Sequence, residues 1–367
     1  MSDATSAVAA TNATESTYDS VVVTGGTGFL GLHTCQFFAN GGWDVTAVDL
    51  KPFAPADDTA GIDYEEGDVR DEDRIWEVIE ATEADIVVHT AAALPLWDDE
   101  TIREVTIDGT RSVLWAAKEA SVSRVCYVSS TAVYGTHDHH PITEQSSLDG
   151  VGPYGEAKIE AENICRDFRR MGLCVPILRP KTFIGPQRLG VFQVLFDWVE
   201  DGANVPLVGW GHNQYQLMHV HDLVRAMELM FTEAEERVNE TFNVGATDFT
   251  TMKEDFQALL DYAGTGKRVV GTPVLPAVLA LRVLNELDLS PLYPWVYETA
   301  HEDSYVSVEK LQELGWEPEY SNRDALIDTY EWYLANYEPT TTETGLDHRV
   351  AWDQGALKFV KALLKRV

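Results

Sequence analysis

The stretch that decides the fold is Ser20-Val-Val-Val-Thr24-Gly-Gly-Thr-Gly-Phe-Leu-Gly31, an apolar run that leads straight into closely spaced glycines. Consecutive valines predict a strand that is buried on both faces, as in a parallel sheet. Gly25, Gly28 and Gly31 predict a tight turn followed by a helix, where backbone N–H groups can approach a pyrophosphate. The stretch therefore predicts a dinucleotide-binding strand–turn–helix unit.

Asp49 ends the next predicted strand, Asp44–Asp49. A carboxylate at this place accepts hydrogen bonds from the ribose hydroxyls of a dinucleotide and repels a 2′-phosphate. The sequence therefore favours NAD over NADP as cofactor. Lys51, two residues further on, works against this preference, and so NADP stays open.

Strands and helices alternate through the first half of the chain. Strands are predicted at 20–24, 44–49, 62–66, 84–89, 124–129 and 175–179, and helices at 29–40, 71–83, 100–120 and 154–171. Strands that alternate with helices imply right-handed crossovers, so the predicted fold class is α/β, a doubly wound parallel sheet of the Rossmann type. After Pro180 the alternation loosens, which predicts a smaller C-terminal substrate lobe.

This pattern divides the chain into four predicted parts. They are a disordered leader at 1–18, an NAD-binding Rossmann domain at 19–180 with late strands from about 214–248, a substrate-binding lobe at 181–337, and a linker with a basic amphipathic tail helix at 338–367.

Charge and cysteine content exclude several classes of partner. The 367 residues carry a formal net charge of −33, which repels nucleic acid. The acids are spread along the whole chain, which favours adaptation to a salty cytoplasm over a binding face for a basic partner or solubility alone. Four scattered cysteines suit a reducing cytosol and predict no metal site, and His137, His139 and His140 predict a solvated loop. No apolar run approaches the ~20 residues that span a bilayer.

The segment Gln354–Val367 is unlike the rest of the chain, because it has basic residues and no acid. At ~100° per residue its leucines and valines fall on one side of a helix and its lysines on the other. Such a helix suits peripheral contact with an anionic membrane surface. It also suits docking on the acidic body of the protein or on a partner subunit, and both interpretations stay open.

Tyr154 and Lys158 lie in the run Pro153-Tyr-Gly-Glu-Ala-Lys158. Residues four apart share one face of a helix, so the phenol and the ammonium are predicted to point into one site. A neighbouring ammonium favours the phenolate, which makes the tyrosine usable as an acid and a base near neutral pH.

Taken together, these motifs resemble the NAD-dependent epimerase/dehydratase family of extended short-chain dehydrogenases/reductases, over about Ser20 to Tyr333. The matching signatures are Thr24–Gly31, Gly67-Asp-Val-Arg-Asp71, His89-Thr-Ala-Ala-Ala93, Val128-Ser-Ser-Thr-Ala-Val-Tyr-Gly135, Pro153–Lys158, Arg179-Pro180, Gly185-Pro186, His219-Val-His-Asp222, Phe242-Asn-Val-Gly245 and Leu314-Gly-Trp316.

The resemblance implies a role for each matching residue. Ser130, Tyr154 and Lys158 would be catalytic: the serine binds the reacting oxygen, the tyrosine exchanges a proton with the substrate hydroxyl, and the lysine binds the nicotinamide ribose. Asp68 and Val69 would contact the adenine, and Ala91 and Ala92 the middle of NAD. The residues expected to bind NAD are Gly25, Gly28, Phe29, Leu30, Gly31, Asp49, Asp68, Val69, Ala91, Ala92, Tyr154 and Lys158. A homodimer through the helices near 100–120 and 154–171 is also implied.

Departures from the family pattern bear on the substrate and on the reaction. Thr131 and Ala132 stand where family dehydratases carry an acidic pair, so loss of water is disfavoured. Thr182 and Tyr215 replace an Asn and an Arg that bind nucleotide phosphates in related enzymes. The other polar residues that could serve a diphosphate are Lys181, Gln187, Arg188 and Gln214; Thr131, Thr182, Arg188 and Tyr215 are the predicted substrate residues.

Three functions stay open at this point. The first is an NAD-dependent epimerase acting at a secondary alcohol of a sugar or nucleotide sugar. The second is a net dehydrogenase or reductase on a lipid-like or polyol substrate, favoured by the apolar stretch 273–297 and the basic tail. The third is an NAD-binding regulator without activity, against which an intact Ser130, Tyr154 and Lys158 argue.

Overall fold

A computed structural model describes residues 18–95, 97–187, 189–287, 294–336 and 357–365. The predicted leader at 1–18, apart from Tyr18, and most of the predicted linker after 337 lie outside these residues. The strands are β1 (Ser20–Thr24), β2 (Asp44–Asp49), β3 (Ile62–Glu66), β4 (Ile86–His89), β5 (Arg124–Val128), β6 (Ile177–Pro180), β7 (Thr182–Ile184), β8 (Val205–Val208), β9 (Leu217–His219), β10 (Thr241–Val244) and β11 (Val269–Thr272).

The helices of the described residues follow the same order. They are α1 (Phe29–Asn40), α2 (Glu72–Ala81), α3 (Asp99–Arg103), α4 (Gly109–Glu119), α5 (Gly152–Arg170), α6 (Phe192–Glu200), α7 (Val220–Thr232), α8 (Glu235–Val238), α9 (Met252–Tyr262), α10 (Val274–Glu286), α11 (Pro294–Thr299), α12 (Glu309–Gln312), α13 (Asn322–Asn336) and α14 (Leu357–Leu364). The predicted helix at 100–120 is not continuous, because a π-helical turn, Glu104–Asp108, separates α3 from α4.

Seven strands form one parallel sheet in the order β10-β6-β5-β4-β1-β2-β3. The doubly wound α/β prediction is therefore confirmed. After β3 the chain crosses back over β1 to form β4, so the direction of winding reverses between β1 and β4. In such sheets ligands bind in the crevice at the carboxyl ends of the strands where this reversal occurs. The glycine turn after β1 opens into that crevice.

Helices cover both faces of the sheet. Val21 and Val23 of β1 pack on one face, in a cluster that α1 and α7 complete. Val22, between them, packs on the other face against a cluster that includes Ile75 of α2 and Val113 of α4. Alternate residues of a strand point to opposite faces, and here both faces are apolar because both are covered. This burial explains why the middle of β1 consists of three consecutive valines.

The C-terminal lobe has its own small core, in which Phe196 and Trp198 of α6 pack with Leu259 and Tyr330. Of the late strands expected at about 214–248, β10 extends the main sheet beside β6, whereas β9 pairs with β7 in a separate two-stranded sheet. Helix α10, in the apolar stretch 273–297, buries none of its residues.

The tail helix α14 docks on the lobe. The ammonium groups of Lys361 and Lys365 lie 2.5 Å and 3.2 Å from the Asp201 carboxylate. Leu364 packs against the lobe core, and the Lys267 ammonium donates to the Lys365 carbonyl at 3.1 Å. Of the two interpretations of the tail, the structure supports docking on the acidic body for the part described, 357–365.

All four cysteines are buried and free of disulfides. Burial raises the pKa of the Cys174 thiol to about 11 and that of Cys35, Cys126 and Cys165 further. Among the described residues, no three or more His, Cys, Asp or Glu side chains are grouped to hold a metal ion. No described helix has both the length and the apolar character to cross a bilayer.

Candidate active site

The glycine turn after β1 leaves no room for side chains. Gly25 has φ +70°, and a Cβ there would lie 2.7 Å from the backbone of Ala91, just after β4. A Cβ on Gly31 would lie 2.1 Å from the Gly25 carbonyl oxygen, so only glycine lets α1 approach the turn this closely. Ala91 and Ala92 are half-buried beside it. The turn is thereby held between the ends of β1 and β4.

The amino end of α1 suits the pyrophosphate of a dinucleotide. Its N-cap residue is Gly28, and no described side chain caps the helix, so the N–H groups of the first turn, Phe29 to Gly31, face outward. Asp49 lies beside the turn, where its carboxylate accepts hydrogen bonds from the Thr27 and Leu50 N–H groups at 3.2 Å and 2.8 Å. A carboxylate next to an uncapped helix end is the arrangement that NAD needs, and these residues fit it.

The two residues expected near the adenine differ in their surroundings. Asp68 is held by the Arg70 guanidinium at 2.6 Å, which lowers the pKa of its carboxyl group. Val69 is buried under Gly109, where a Cβ would come within 2.7 Å of its Cγ2. Val69 therefore contributes an apolar wall, while the Asp68 side chain already has a charged partner.

Ser130, Tyr154 and Lys158 meet at the carboxyl end of β5. Ser130 lies close enough to the Tyr154 hydroxyl to lower the pKa of the phenol. The Lys158 ammonium lies 5.9 Å from the centre of the Tyr154 ring and donates to the Val128 carbonyl at 2.8 Å. The structure thus brings together the three residues predicted to be catalytic, one from the strand end and two from successive turns of α5.

The ionisation of the pair is not what the spacing alone suggests. Burial raises the pKa of Tyr154 to about 12, and the nearby Ser130 hydroxyl offsets only part of that effect. Burial also lowers the pKa of Lys158 to about 8. In the folded chain Lys158 does not bring the pKa of the phenol below its usual value, because the ammonium donates to a backbone carbonyl and removal from water disfavours both charges.

A buried ionic network supports the catalytic helix, and the sequence analysis missed it. Glu162 of α5 accepts hydrogen bonds from Ser129 at 2.6 Å and from two guanidinium nitrogens of Arg179 at 2.8 Å and 2.5 Å. Arg179 also donates to the Tyr134 hydroxyl at 2.7 Å, and Tyr134 donates to Asn243 at 2.7 Å. Tyr154, Lys158 and Glu162 thus contact residues 130, 128 and 129 of one strand end. The network holds α5 in register against β5.

Three of the four predicted substrate residues lie within the described part of the chain. Thr131 is half-buried and begins the 3₁₀ turn that follows Ser130. Thr182 and Tyr215, the two departures from the family pattern, contact each other, with 2.9 Å between their hydroxyl oxygens. Arg188 lies outside the described residues.

The sequence profile described as "NAD dependent epimerase/dehydratase family" matches residues 21–245. The uncharacterized protein y4nG of Sinorhizobium fredii is 33% identical over 349 residues, which cover 94% of this chain and 86% of the relative. The chain belongs to the NAD-dependent epimerase/dehydratase family. The resemblance drawn from its motifs is confirmed.

Two further relatives show the breadth of the family around this chain. A UDP-glucose 4-epimerase of Thermotoga maritima, solved with UDP-glucose, superposes with a TM-score of 0.73 at 25% identity, covering 87% of this chain and 100% of that one. A dTDP-glucose 4,6-dehydratase of Streptomyces niveus is 26% identical over 86% of this chain and 93% of the relative. Because dehydratases are among the relatives, family membership alone gives no reason to disfavour elimination.

Proposed function

We propose that this family member is an NAD-dependent epimerase that acts at a secondary alcohol of a nucleotide sugar. The observation that carries the proposal is the grouping of Ser130, Tyr154 and Lys158 at the carboxyl end of β5, on the edge of the sheet that also carries the glycine turn. When bound, NAD would supply the hydride chemistry that the reaction needs. Gly28, Gly31 and Asp49 would hold the dinucleotide.

The three residues divide the proton chemistry between them. Ser130 binds the reacting oxygen, and Tyr154, in its phenolate form, takes the hydroxyl proton while the carbon–hydrogen bond breaks, then gives it back when the ketone is reduced. The Lys158 ammonium, 5.9 Å from the phenol ring, stabilises the phenolate in this low-dielectric site. Epimerisation requires that the ketone be reduced on its other face, so the sugar must turn while the nucleotide stays bound.

The residues beside Ser130 favour epimerisation over loss of water. Elimination needs an acid that protonates the departing hydroxyl. Thr131 and Ala132, the next residues in the turn, offer a hydroxyl and a methyl group instead of carboxyls. The proposal therefore includes no elimination step.

The test is a product analysis with the purified enzyme, NAD and, in turn, UDP-glucose, UDP-galactose and dTDP-glucose. Epimerisation gives the other epimer by NMR without net NADH. Accumulating NADH with one ketone product would contradict it and indicate a dehydrogenase, and a 4-keto-6-deoxy sugar would indicate a dehydratase.

The Tyr154→Phe variant ties any activity to the site. We expect kcat to fall by about 10²–10⁴-fold with NAD affinity kept, since only the proton-transferring oxygen is lost. Tyr262→Phe is the matched control, because its hydroxyl lies on the exposed side of α9 against Glu331. Equal activity in the two variants would exclude Tyr154 as the acid and base.

A further inference from the structure

Lys181 is a buried lysine that the chemistry proposed above does not use. It directly follows β6 and is 5% exposed. Its ammonium donates to the Ser304 hydroxyl at 2.6 Å and lies 5.0 Å from the centre of the Tyr215 ring. Among the described residues no carboxylate forms an ion pair with it. A buried ammonium held by only a hydroxyl and a ring face is costly, so the fold keeps a cation here at the expense of stability.

The backbone places this cation at the catalytic edge of the sheet. The Lys181 N–H donates to the Val244 carbonyl at 2.8 Å, so the pairing of β6 with β10 continues to this residue. Side chains alternate along a strand, and Arg179, two residues earlier, reaches Glu162 of α5. Lys181 therefore lies on the α5 side of the sheet, further toward the end from which α5 presents Tyr154.

The register of the neighbouring strand gives the same position. Val128 of β5 pairs with Leu178 of β6. Ser130 and Lys181 lie two and three residues beyond this pair, on strands about 5 Å apart. Both residues therefore lie at the carboxyl edge of the sheet, on neighbouring strands.

The groups around Lys181 are polar and mostly uncharged. Tyr215, in contact with the lysine, is hydrogen-bonded to Thr182, and His140 stacks on Tyr305 at 4.8 Å between ring centres. The one carboxylate in this cluster, Asp303, accepts a hydrogen bond from the Gln214 N–H at 2.8 Å. Burial lowers the pKa of Lys181 to about 7. The surroundings offer a cation without the counter-charge that a structural lysine would have.

We propose that Lys181 is a substrate-binding residue whose ammonium holds an anionic oxygen of the nucleotide sugar, from either the diphosphate or a carboxylate on the sugar. This inference rests on the proposed function and adds to it the charge that the substrate must carry near Ser130. Ser304 and Tyr215 orient the ammonium, and a bound anion supplies the missing counter-charge.

Calorimetric titration of the NAD-loaded enzyme with uridine, UDP, UDP-glucose and UDP-glucuronic acid tests the assignment. We expect Lys181→Met to lose about tenfold or more in affinity, the size of a lost charged hydrogen bond. If the variant binds UDP more weakly but uridine with unchanged affinity, the diphosphate is the anion. If its affinity for UDP is unchanged and its affinity for UDP-glucuronic acid is lower, the anion is the sugar carboxylate.

Matched variants separate charge from packing. Lys181→Arg keeps the charge and should keep most of the affinity. Lys118→Met removes a lysine that lies 5.7 Å from the Trp115 ring, on the surface helix α4, and should change nothing. If Lys181→Met bound all four ligands with wild-type affinity, the role of Lys181 would be overturned and the proposed function would not be affected. A wild-type enzyme that binds none of them would overturn the proposed function as well.

The unmutated enzyme provides a second measurement should Lys181→Met fail to fold. An anion beside a lysine of pKa about 7 raises that pKa, so binding at pH 8 should take up on the order of 0.5–1 proton per site. Titration in buffers of different ionisation enthalpy measures this uptake. Burial lowers the pKa of His140 and raises that of Tyr215, so neither of these groups facing the site should take up the proton at pH 8; Asp303 is the charged group on the same side. Binding of UDP and UDP-glucuronic acid without proton uptake would overturn the proposal.

Discussion

Lys158 shows how a catalytic residue can weaken the fold that holds it. Its ammonium is 2% exposed and makes a hydrogen bond to the Val128 carbonyl, yet burial lowers its pKa from 10.5 to about 8. The unfolded chain therefore binds the proton more tightly than the folded chain. Keeping Lys158 charged near neutral pH therefore lowers the stability of the fold, and the proposed chemistry requires that charge.

Replacing Lys158 by Met should abolish activity and raise the free energy of unfolding by about 1–3 kcal/mol at pH 7. The folded pKa is the lower one, so the cost is fully present below about pH 8 and disappears as the pH rises toward 10.5. Urea unfolding at pH 7 and at pH 10 measures the difference. Lys118→Met should show no pH-dependent change, and a Lys158→Met variant less stable than wild type at pH 7 would contradict this account.

At the level of single residues, the sequence was sufficient to predict which side chains share a site when those residues are close along the chain. Tyr154 and Lys158 are one helical turn apart, so their shared site followed from spacing. Glu162 was missed because its partner Arg179 belongs to another element, and an acid on a helix of a chain with 60 acids looks like part of a solvated face. The raised pKa of Tyr154 was missed because burial cannot be read from a motif.

At the scale of elements, the unit formed by β1, the glycine turn and α1 depends on close approach of backbone to backbone. Gly31 lies against the Gly25 carbonyl, while Gly28 caps α1 at the place where a pyrophosphate would bind. The two glycines therefore serve different purposes. One permits packing, and the other leaves space for a ligand.

Substituting these glycines by alanine should separate the two purposes. Gly31→Ala places a methyl group 2.1 Å from a carbonyl oxygen that cannot move aside, so we expect a loss of about 2–4 kcal/mol in stability. Gly28→Ala meets the same oxygen at 3.2 Å, and should cost about 1 kcal/mol or less while lowering NAD affinity. Chemical unfolding and NAD titration together give both numbers. Equal loss of stability in the two variants would contradict the assignment.

The central elements of the main sheet could be predicted because strands such as β1, β4 and β5 bury both faces. The pairs β7–β9 and β8–β11 could not, since strands of three or four residues are too short to show alternation. The π turn at Glu104–Asp108 was also out of reach, because one extra residue in a helical turn leaves the apolar pattern almost unchanged.

For the whole molecule the dominant property is a formal net charge of −33. Like charges on a compact body repel one another, and the repulsion is stronger in the folded state than in the expanded chain. Most of the described lysines and arginines already pair with acids, as Lys361 and Lys365 do with Asp201. We propose that the fold is adapted to concentrated salt.

Raising KCl from 0.1 M to 2 M should therefore raise the melting temperature by about 5–10 °C, because added ions screen repulsion between surface carboxylates. Scanning calorimetry across the series measures the shift. Sucrose at matched osmolarity is the control, since it stabilises by exclusion without screening charge. A melting temperature that does not change with KCl would contradict salt adaptation.

The inaccessibility of the native thiols gives the protein a practical use for spectroscopy. The thiolate is the form that reacts with maleimide dyes, and the four cysteines are both shielded and hard to ionise. A fluorophore attached through Lys358→Cys, on the exposed side of the tail helix, would then be the single label on an otherwise wild-type chain. Its anisotropy would follow detachment of that helix from Asp201 directly, in the working enzyme and at any salt concentration.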